Sequence, residues 1–141
     1  MSLEQAREVM MKAHEGQKRW DEKPFNTHPT KVVQILEDMS IGDLNILKAA
    51  YLHDVLEDTN YSATEIGKKF GDSVLALVYE LTFKSGNDQF YLNQVKRLSY
   101  NAKLIKMADI IANVGDAGGK STHFLQKRMK ALEIILNEVI K

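Results

Sequence analysis

The chain has 141 residues, 44% of them apolar, with 19 Lys and Arg set against 19 Asp and Glu and no cysteine. Such a chain buries roughly two thirds of its unfolded surface, which predicts one domain over residues 1–141 and leaves no room for a second catalytic or regulatory domain. The even charge balance gives no global electrostatic claim on nucleic acid or an anionic membrane, and the missing thiols exclude disulfide scaffolds, thiolate zinc sites and iron–sulfur clusters. Any metal must therefore rest on His and carboxylates. The longest apolar run, residues 74–79, is far shorter than the roughly 20 residues of a membrane span, and the charged start MSLEQAREVMMK lacks the pattern of a secretory signal. These features predict a soluble, cytoplasmic protein.

From Leu3, apolar residues return at Ala6, Val9, Met10 and Ala13, the period of a helix with one buried stripe, which should end near Gly16. Between residues 17 and 27 the period fails, charges crowd together and Pro24 forbids a helical interior, so a loop carrying Lys18, Arg19 and Lys23 is expected. Thr27-His28-Pro29 has the chemistry of a helix start, with a hydroxyl cap and a proline in the first turn, which puts His28 at a helix entrance. A turn at 40–43 leads to a central helix from residue 44 to about 57, with Leu47, Ala50, Tyr51 and Leu56 deeply buried.

Ser62-Ala63-Thr64-Glu65 has the spacing of a capping box, opening a short helix that Phe70-Gly71 closes, and Asp72 or Ser73 should cap the next one. Residues 85–88 break that helix, and two more follow at about 88–99 and 102–114. Gly115, Gly118 and Gly119 mark a loop before a last helix from Ser121 or Thr122, with Phe124, Leu125, Leu132, Ile135, Leu136 and Val139 as its apolar positions. No segment alternates long enough to argue a sheet. The fold expectation is all-α, a single-domain helical bundle of about seven or eight helices.

The stretch His53-Asp54-Val55-Leu56-Glu57-Asp58 places an imidazole and three carboxylates on an otherwise apolar segment, which is costly unless they have partners. On a helix, Asp54 has Glu57 and Asp58 at i+3 and i+4, so the carboxylates crowd and repel. A cation held by His53 and Asp54 would relieve that repulsion and leave Glu57 and Asp58 beside its open coordination sites. The His-Asp dipeptide by itself would arise by chance roughly one time in four in such a composition. Further ligands must come from elsewhere, and His28 and Asp109, the latter in the apolar segment KLIKMADIIANV, are the plausible donors. A buried ion-pair network is the competing reading.

The blocks AHEGQKRWDEKPFNTHP, AAYLHDVLEDT, KFGDSVLALVYELT and KLIKMADIIAN, in that order from about residue 13 to 113, resemble the HD-domain phosphohydrolases, specifically the hydrolase domain of RelA/SpoT-type alarmone enzymes and their small stand-alone relatives. The resemblance implies that His28, His53, Asp54 and Asp109 bind one divalent ion, most often manganese, although the donor set also suits iron or zinc. It implies that Glu57 and Asp58 are the catalytic acidic pair, that Arg19 packs near a nucleobase and that Asn113 contacts the ribose. The implied reaction is removal of the 3′-pyrophosphate from guanosine 3′,5′-bis(pyrophosphate). On chemical grounds Glu57 is chosen to shuttle the proton and Asp58 to orient the water, an assignment that can be exchanged. Lys18, Arg19 and Lys23 can supply phosphate contacts.

The chain departs from the family's loop in two places: Glu22 stands where a glycine usually precedes the proline by two residues, and Trp20 where a basic residue often follows the arginine. These departures leave open a different nucleotide, such as a nucleoside monophosphate or an NADPH-like 2′-phosphate, and a non-catalytic nucleotide-binding module is the third reading. His14 and His123 are taken as structural or merely exposed, Lys103 and Lys106 as ambiguous, and the methionines as core or interface filler. The expected partner is a small-molecule nucleotide, with no nucleic acid and no membrane; the sequence carries no signal of oligomeric state.

Overall fold

A computed structural model describes residues 1–115 and 122–139. Helix α1 (Leu3–Ala13) starts at a capping box: the Gln5 N–H donates to Ser2 Oγ (3.2 Å) and the Ser2 N–H to Gln5 Oε1 (2.7 Å). It buries Ala6 and Met10, as its apolar spacing requires. The loop after it carries an isolated antiparallel bridge between Lys18 and Pro24 but no strand, and no sheet occurs among the described residues. Helix α2 (Thr27–Asp38) begins where expected, with Pro29 in its first turn. The expected Thr27 hydroxyl cap is absent: Asn26 occupies the cap position, and Thr27 Oγ1 instead donates back to the Pro24 carbonyl (2.8 Å).

The predicted single helix over 44–57 is two. Helix α3 (Leu44–Leu52) stops before His53, and a single turn, α4 (Val55–Asp58), resumes after Asp54. The cause is local. His53 Nδ1 donates to the Ala50 carbonyl (2.6 Å), the acceptor that a continuous helix offers to the Asp54 N–H, and Asp54 takes φ −101°, ψ 0° in the bridge region. The Asp58 N–H still donates to the Asp54 carbonyl (2.9 Å), and Thr59 Oγ1 closes the turn on the Val55 carbonyl (2.6 Å). Val55 is fully buried and anchors this turn, whereas Leu56 is only half-buried, against expectation.

Helix α5 (Ala63–Phe70) forms without the predicted capping box: Ser62 makes no side-chain cap bond, and Glu65 pairs with Lys69 (3.6 Å). Gly71, at φ +93°, ends α5 and stands in the cap position of α6 (Asp72–Leu81), so neither Asp72 nor Ser73 serves as its cap. Helix α7 (Asp88–Arg97) is capped by Asn87, whose Oδ1 accepts from the Phe90 N–H (2.9 Å). Helices α8 (Tyr100–Gly115) and α9 (Thr122–Val139) complete the chain. Leaving out the single turn α4, eight helices are described; the loop expected at Gly118 and Gly119 lies outside the described residues.

Helix α8 is the axis of the bundle. It packs against α2 and α9, while α3 packs against α1, α2 and α6. Ile105, Ala108 and Ile110 of α8 are almost wholly removed from water, and each buried isoleucine contributes roughly 1.5–3 kcal/mol of transfer energy. Into this apolar seam the sequence sets three polar side chains, His28 from α2, His53 from the end of α3 and Asp109 from α8, all under 7% exposed. None of the described helices is long and apolar enough to cross a membrane.

Candidate metal and active site

Four side chains from three separate segments of the chain converge. His28 Nε2 lies 2.8 Å from Asp109 Oδ1 and 3.9 Å from Asp54 Oδ2; His53 Nε2 lies 3.0 Å from Asp54 Oδ2 and 3.4 Å from Asp109 Oδ1. Helix α2 delivers His28 through its first turn, the break between α3 and α4 turns His53 and Asp54 to one corner, and α8 presents Asp109 from its buried face.

The donor set fits a cation. With Nδ1 of His53 committed to the Ala50 carbonyl, its lone-pair nitrogen in the neutral ring is Nε2, which is buried and makes no hydrogen bond of acceptable geometry although two carboxylates stand beside it. The buried group His28, His53 and Asp109 can hold a metal ion.

The electrostatics agree. Burial pushes the His53 imidazolium toward a lower pKa, but Asp54 and Asp109 outweigh it and hold the ring well above the ordinary histidine value. Burial likewise raises Asp54 and Asp109, and the cations around them, His53 for Asp54 and Lys106 with the two histidines for Asp109, bring both below the usual carboxylate range. The cluster thus favours positive charge at its centre.

Lys106, left ambiguous by the sequence, belongs here. Its Nζ lies 3.0 Å from Asp109 Oδ2, leaving Oδ1 to the histidines, and sits over the rings of Phe83 (4.5 Å) and Tyr91 (5.4 Å). Burial opposes its charge, but Asp109 holds its pKa above the ordinary lysine value. Asp109 therefore has Lys106 on Oδ2 and the two histidines on Oδ1.

Glu57 and Asp58 stand at the solvent edge of the cluster, with carboxylate oxygens of Asp54, Glu57 and Asp58 within 4.8 Å of one another. Desolvation, then Asp54 and Asp58, push Glu57 up to about 7, and desolvation followed by Asp54 raises Asp58. A cleft of about 360 Å³ opens over the cluster, walled by Lys18, Arg19, Trp20, Asn113, Phe124 and Arg128 besides the acidic groups. A second recess of about 310 Å³ meets it at Asp54, Glu57, Lys106 and Arg128 and adds Lys84 and Lys127. A larger hollow of about 570 Å³ on the far side of the Glu57–Asp58 turn contains none of the four converging side chains, so volume alone does not locate the site.

The sequence-predicted substrate residues divide. Arg19 Nη2 donates to Asn113 Oδ1 (3.0 Å), and Asn113 Nδ2 donates to Asp109 Oδ1 (3.3 Å), tying the loop to the cluster. Lys18 lies on the cleft margin, exposed and 3.8 Å from Glu22. Lys23 pairs with Asp21 (3.9 Å) and does not line the cleft. His14 is buried, stacked on Phe25 (4.5 Å) and donating from Nδ1 to Gln17 Oε1 (2.9 Å), while His123 is exposed beside Asp88 (2.8 Å).

Sequence reasoning missed Arg128 and Lys127 and placed Phe124 in the core stripe. Phe124 instead lines the cleft with the Arg128 guanidinium 4.3 Å from its ring centroid, and their i, i+4 spacing was the available signal. Burial and the adjacent Arg128 hold the Lys127 ammonium below its usual value, while Asp88, 3.8 Å away, opposes them.

A helical bundle that gathers two histidines and two aspartates in this order defines the class of HD-domain proteins. The chain belongs to that family: the HD domain model matches residues 6–116. It is 33% identical over 138 residues to guanosine-3′,5′-bis(diphosphate) 3′-pyrophosphohydrolase MESH1 of Homo sapiens, covering 89% of this chain and 77% of that protein. It is 38% identical over 111 residues to the Drosophila melanogaster MESH1, covering 73% of this chain and 62% of that one. The bifunctional (p)ppGpp synthase/hydrolase SpoT of Escherichia coli is 46% identical over 76 residues, 54% of this chain and 11% of that much longer protein. A solved structure described as a metazoan ortholog of SpoT that hydrolyzes ppGpp superposes with a TM-score of 0.82 at 28% identity, over 97% of this chain and 84% of that one.

Proposed function

We propose that residues 1–141 form a metal-dependent phosphohydrolase domain that removes the 3′-pyrophosphate from guanosine 3′,5′-bis(diphosphate), acting on the nucleotide pool of the cytoplasm. The observation that carries this reading is the convergence of His28, His53, Asp54 and Asp109 beneath a cleft walled by Glu57 and Asp58. The MESH1 proteins supply the substrate by similarity.

His28, His53, Asp54 and Asp109 would hold one divalent ion, manganese by family resemblance. Such an ion, when bound, lowers the pKa of water and polarises a phosphoryl oxygen. Glu57, at the solvent edge of the cluster beside Asp54, takes the proton of the attacking water, and Asp58 orients that water. The water oxygen bonds to the phosphorus attached at O3′, the P–O3′ bond breaks, and the ribose oxygen leaves with the proton that Glu57 took up, giving GDP and pyrophosphate and returning Glu57 to its carboxylate form. Arg19 and Asn113 orient the nucleoside, while Lys106, Lys127 and Arg128 face the phosphates from the recess beyond Asp54. Incubation of manganese-loaded protein with guanosine 3′,5′-bis(diphosphate) should release pyrophosphate in molar equality with GDP. Turnover of an NADPH-like 2′-phosphate or a nucleoside monophosphate in its place would keep the class and replace the substrate.

A further inference from the structure

The segment that carries Glu57 and Asp58 has little of its own to hold it. Helix α4 is one turn long, cut off from α3 at His53 and Asp54, and so short a helix does not stand by its own hydrogen bonds. Val55 anchors its first residue in the core. Glu57 and Asp58, however, line both the cleft of about 360 Å³ and the hollow of about 570 Å³ behind it, so this part of the chain is a thin wall with space on either side. Gln17 reaches across to it: its Nε2 donates to the Asp58 carbonyl at 2.7 Å.

Gln17 is itself set in place. A carbonyl only accepts, so the Asp58 contact fixes the amide with Nε2 toward α4 and Oε1 toward His14, and His14 Nδ1, 2.9 Å from Oε1, is the nitrogen that carries the proton. Gly16, at φ +81°, turns the chain back so that the Gln17 N–H donates to the His14 carbonyl (3.0 Å), and the Gln17 carbonyl accepts from the Phe25 N–H (2.8 Å). The His14 ring is 1% exposed and stacks on Phe25 at 4.5 Å, and Phe25 meets the His28 ring edge-on at 6.2 Å. His14 Nε2 is buried without a hydrogen bond. An apolar side chain of that volume would avoid the cost of the stranded nitrogen, so the Nδ1 donor aimed at Gln17 is what an imidazole adds here.

We infer that His14 and Gln17 are positioning residues for the hydrolysis: His14 orients the Gln17 amide, and that amide braces the Asp58 carbonyl so that the Glu57 and Asp58 carboxylates keep their places beside Asp54. Neither His14 nor Gln17 lines the cleft, so both act through the backbone of α4. A proton-accepting carboxylate must lie within hydrogen-bond reach of the water, and a displacement of about 1 Å costs roughly a hundredfold in rate. This deepens the hydrolase reading and rests on it for the reaction that the acidic pair serves.

The test sets activity against stability in the manganese-loaded full chain, with guanosine 3′,5′-bis(diphosphate) as substrate. Gln17→Met keeps the length of the side chain and removes both polar ends; kcat should fall roughly a hundredfold with KM and metal content unchanged. His14→Leu fills the buried site and removes the stranded nitrogen, whereas His14→Asn leaves a void but can offer its Nδ2 to Gln17 Oε1. The leucine variant should therefore melt higher than the asparagine variant, and the order in kcat should be the reverse, with asparagine restoring most of the parent's rate. Hydrogen exchange followed by NMR reads the brace without turnover: the Asp58 and Thr59 amides, bonded to the Asp54 and Val55 carbonyls, should exchange faster in Gln17→Met than in the parent.

A parent-like kcat in Gln17→Met would overturn the inference, as would kcat that follows melting temperature across the two His14 variants, the mark of a merely structural contact. A parent that turns over no nucleotide would remove the hydrolase reading. Faster exchange at Asp58 and Thr59 in Gln17→Met would in that case still support the brace, and unchanged exchange would overturn it too.

Discussion

His53 donates its Nδ1 proton to the Ala50 carbonyl across 2.6 Å, and that one bond both ends helix α3 and fixes which imidazole nitrogen faces Asp54 and Asp109. A ring so held enters the cluster through Nε2. His53→Gln should therefore lower divalent-metal affinity at least about a hundredfold, measured by metal analysis after dialysis against a weak chelator. Because the neighbouring carboxylates keep His53 protonated well above the ordinary histidine range, metal must displace that proton. Affinity should accordingly rise with pH, and calorimetry in buffers of different ionisation enthalpy should show proton release on binding. Stoichiometric metal in the variant would remove His53 from the ligand set.

Glu57 gives a pH signature of its own. Its folded-state pKa of about 7 lies above the ordinary carboxylate value, so between about 4.5 and 7 the metal-free folded chain binds more protons than the unfolded one. The sign follows: this group costs stability progressively as pH rises through that window and contributes no penalty below it. Glu57→Gln should raise the melting temperature of the metal-free protein at pH 8 by about 2 °C and leave it nearly unchanged at pH 4.5. In the metal-loaded protein the same variant should lose about 10²- to 10⁴-fold in kcat with metal content retained. A full-rate variant would transfer the proton role to Asp58.

Much of this arrangement was legible because helices write their period into the chain: α1, α2, α7, α8 and α9 begin and end close to where apolar spacing and loop residues put them. The break at His53 was not legible, since nothing in the pattern from Leu44 to Glu57 distinguishes a histidine that bonds its own helix backbone from one that does not. The four converging residues were marked by their cost in apolar surroundings and by the order of the four sequence blocks. Lys106 was hidden for the opposite reason: a lysine on an amphipathic helix reads as a solvated charge, and only the packing of Phe83 and Tyr91 against it shows that it is enclosed. Arg128 and Lys127 lie on a helix with no motif; the i, i+4 spacing of Phe124 and Arg128 marks a shared helix face, but the tertiary fold is what brings that face to the cleft.

Lys106 should prove a stabilising residue as well as a neighbour of the site. With 14% of its side chain exposed and its partner Asp109 at 9%, the pair is largely withdrawn from solvent. Removing the ammonium strands a buried carboxylate oxygen, a loss of about 3 kcal/mol. Lys106→Met should lower the urea midpoint of the metal-free protein accordingly, with the slope unchanged, and added manganese should restore part of the difference by neutralising Asp109. An unchanged midpoint would mean that water already satisfies Asp109 Oδ2.

Glu22 occupies a left-handed conformation, φ +69°, at the loop position where the family usually has glycine. A side chain there costs about 1–2 kcal/mol, while its contact with Lys18 is an exposed pair 3.8 Å apart that contributes little. Glycine relieves the backbone strain but frees the unfolded chain, so the two effects partly cancel. Glu22→Gly should stabilise the protein by about 0.5–1 kcal/mol in urea unfolding and leave the Arg19–Asn113 bond in place. Glu22→Ala should show no such gain, because it removes the carboxylate and keeps the strained Cβ. If alanine stabilised as much as glycine, the penalty would lie in the carboxylate's charge and the backbone would be innocent.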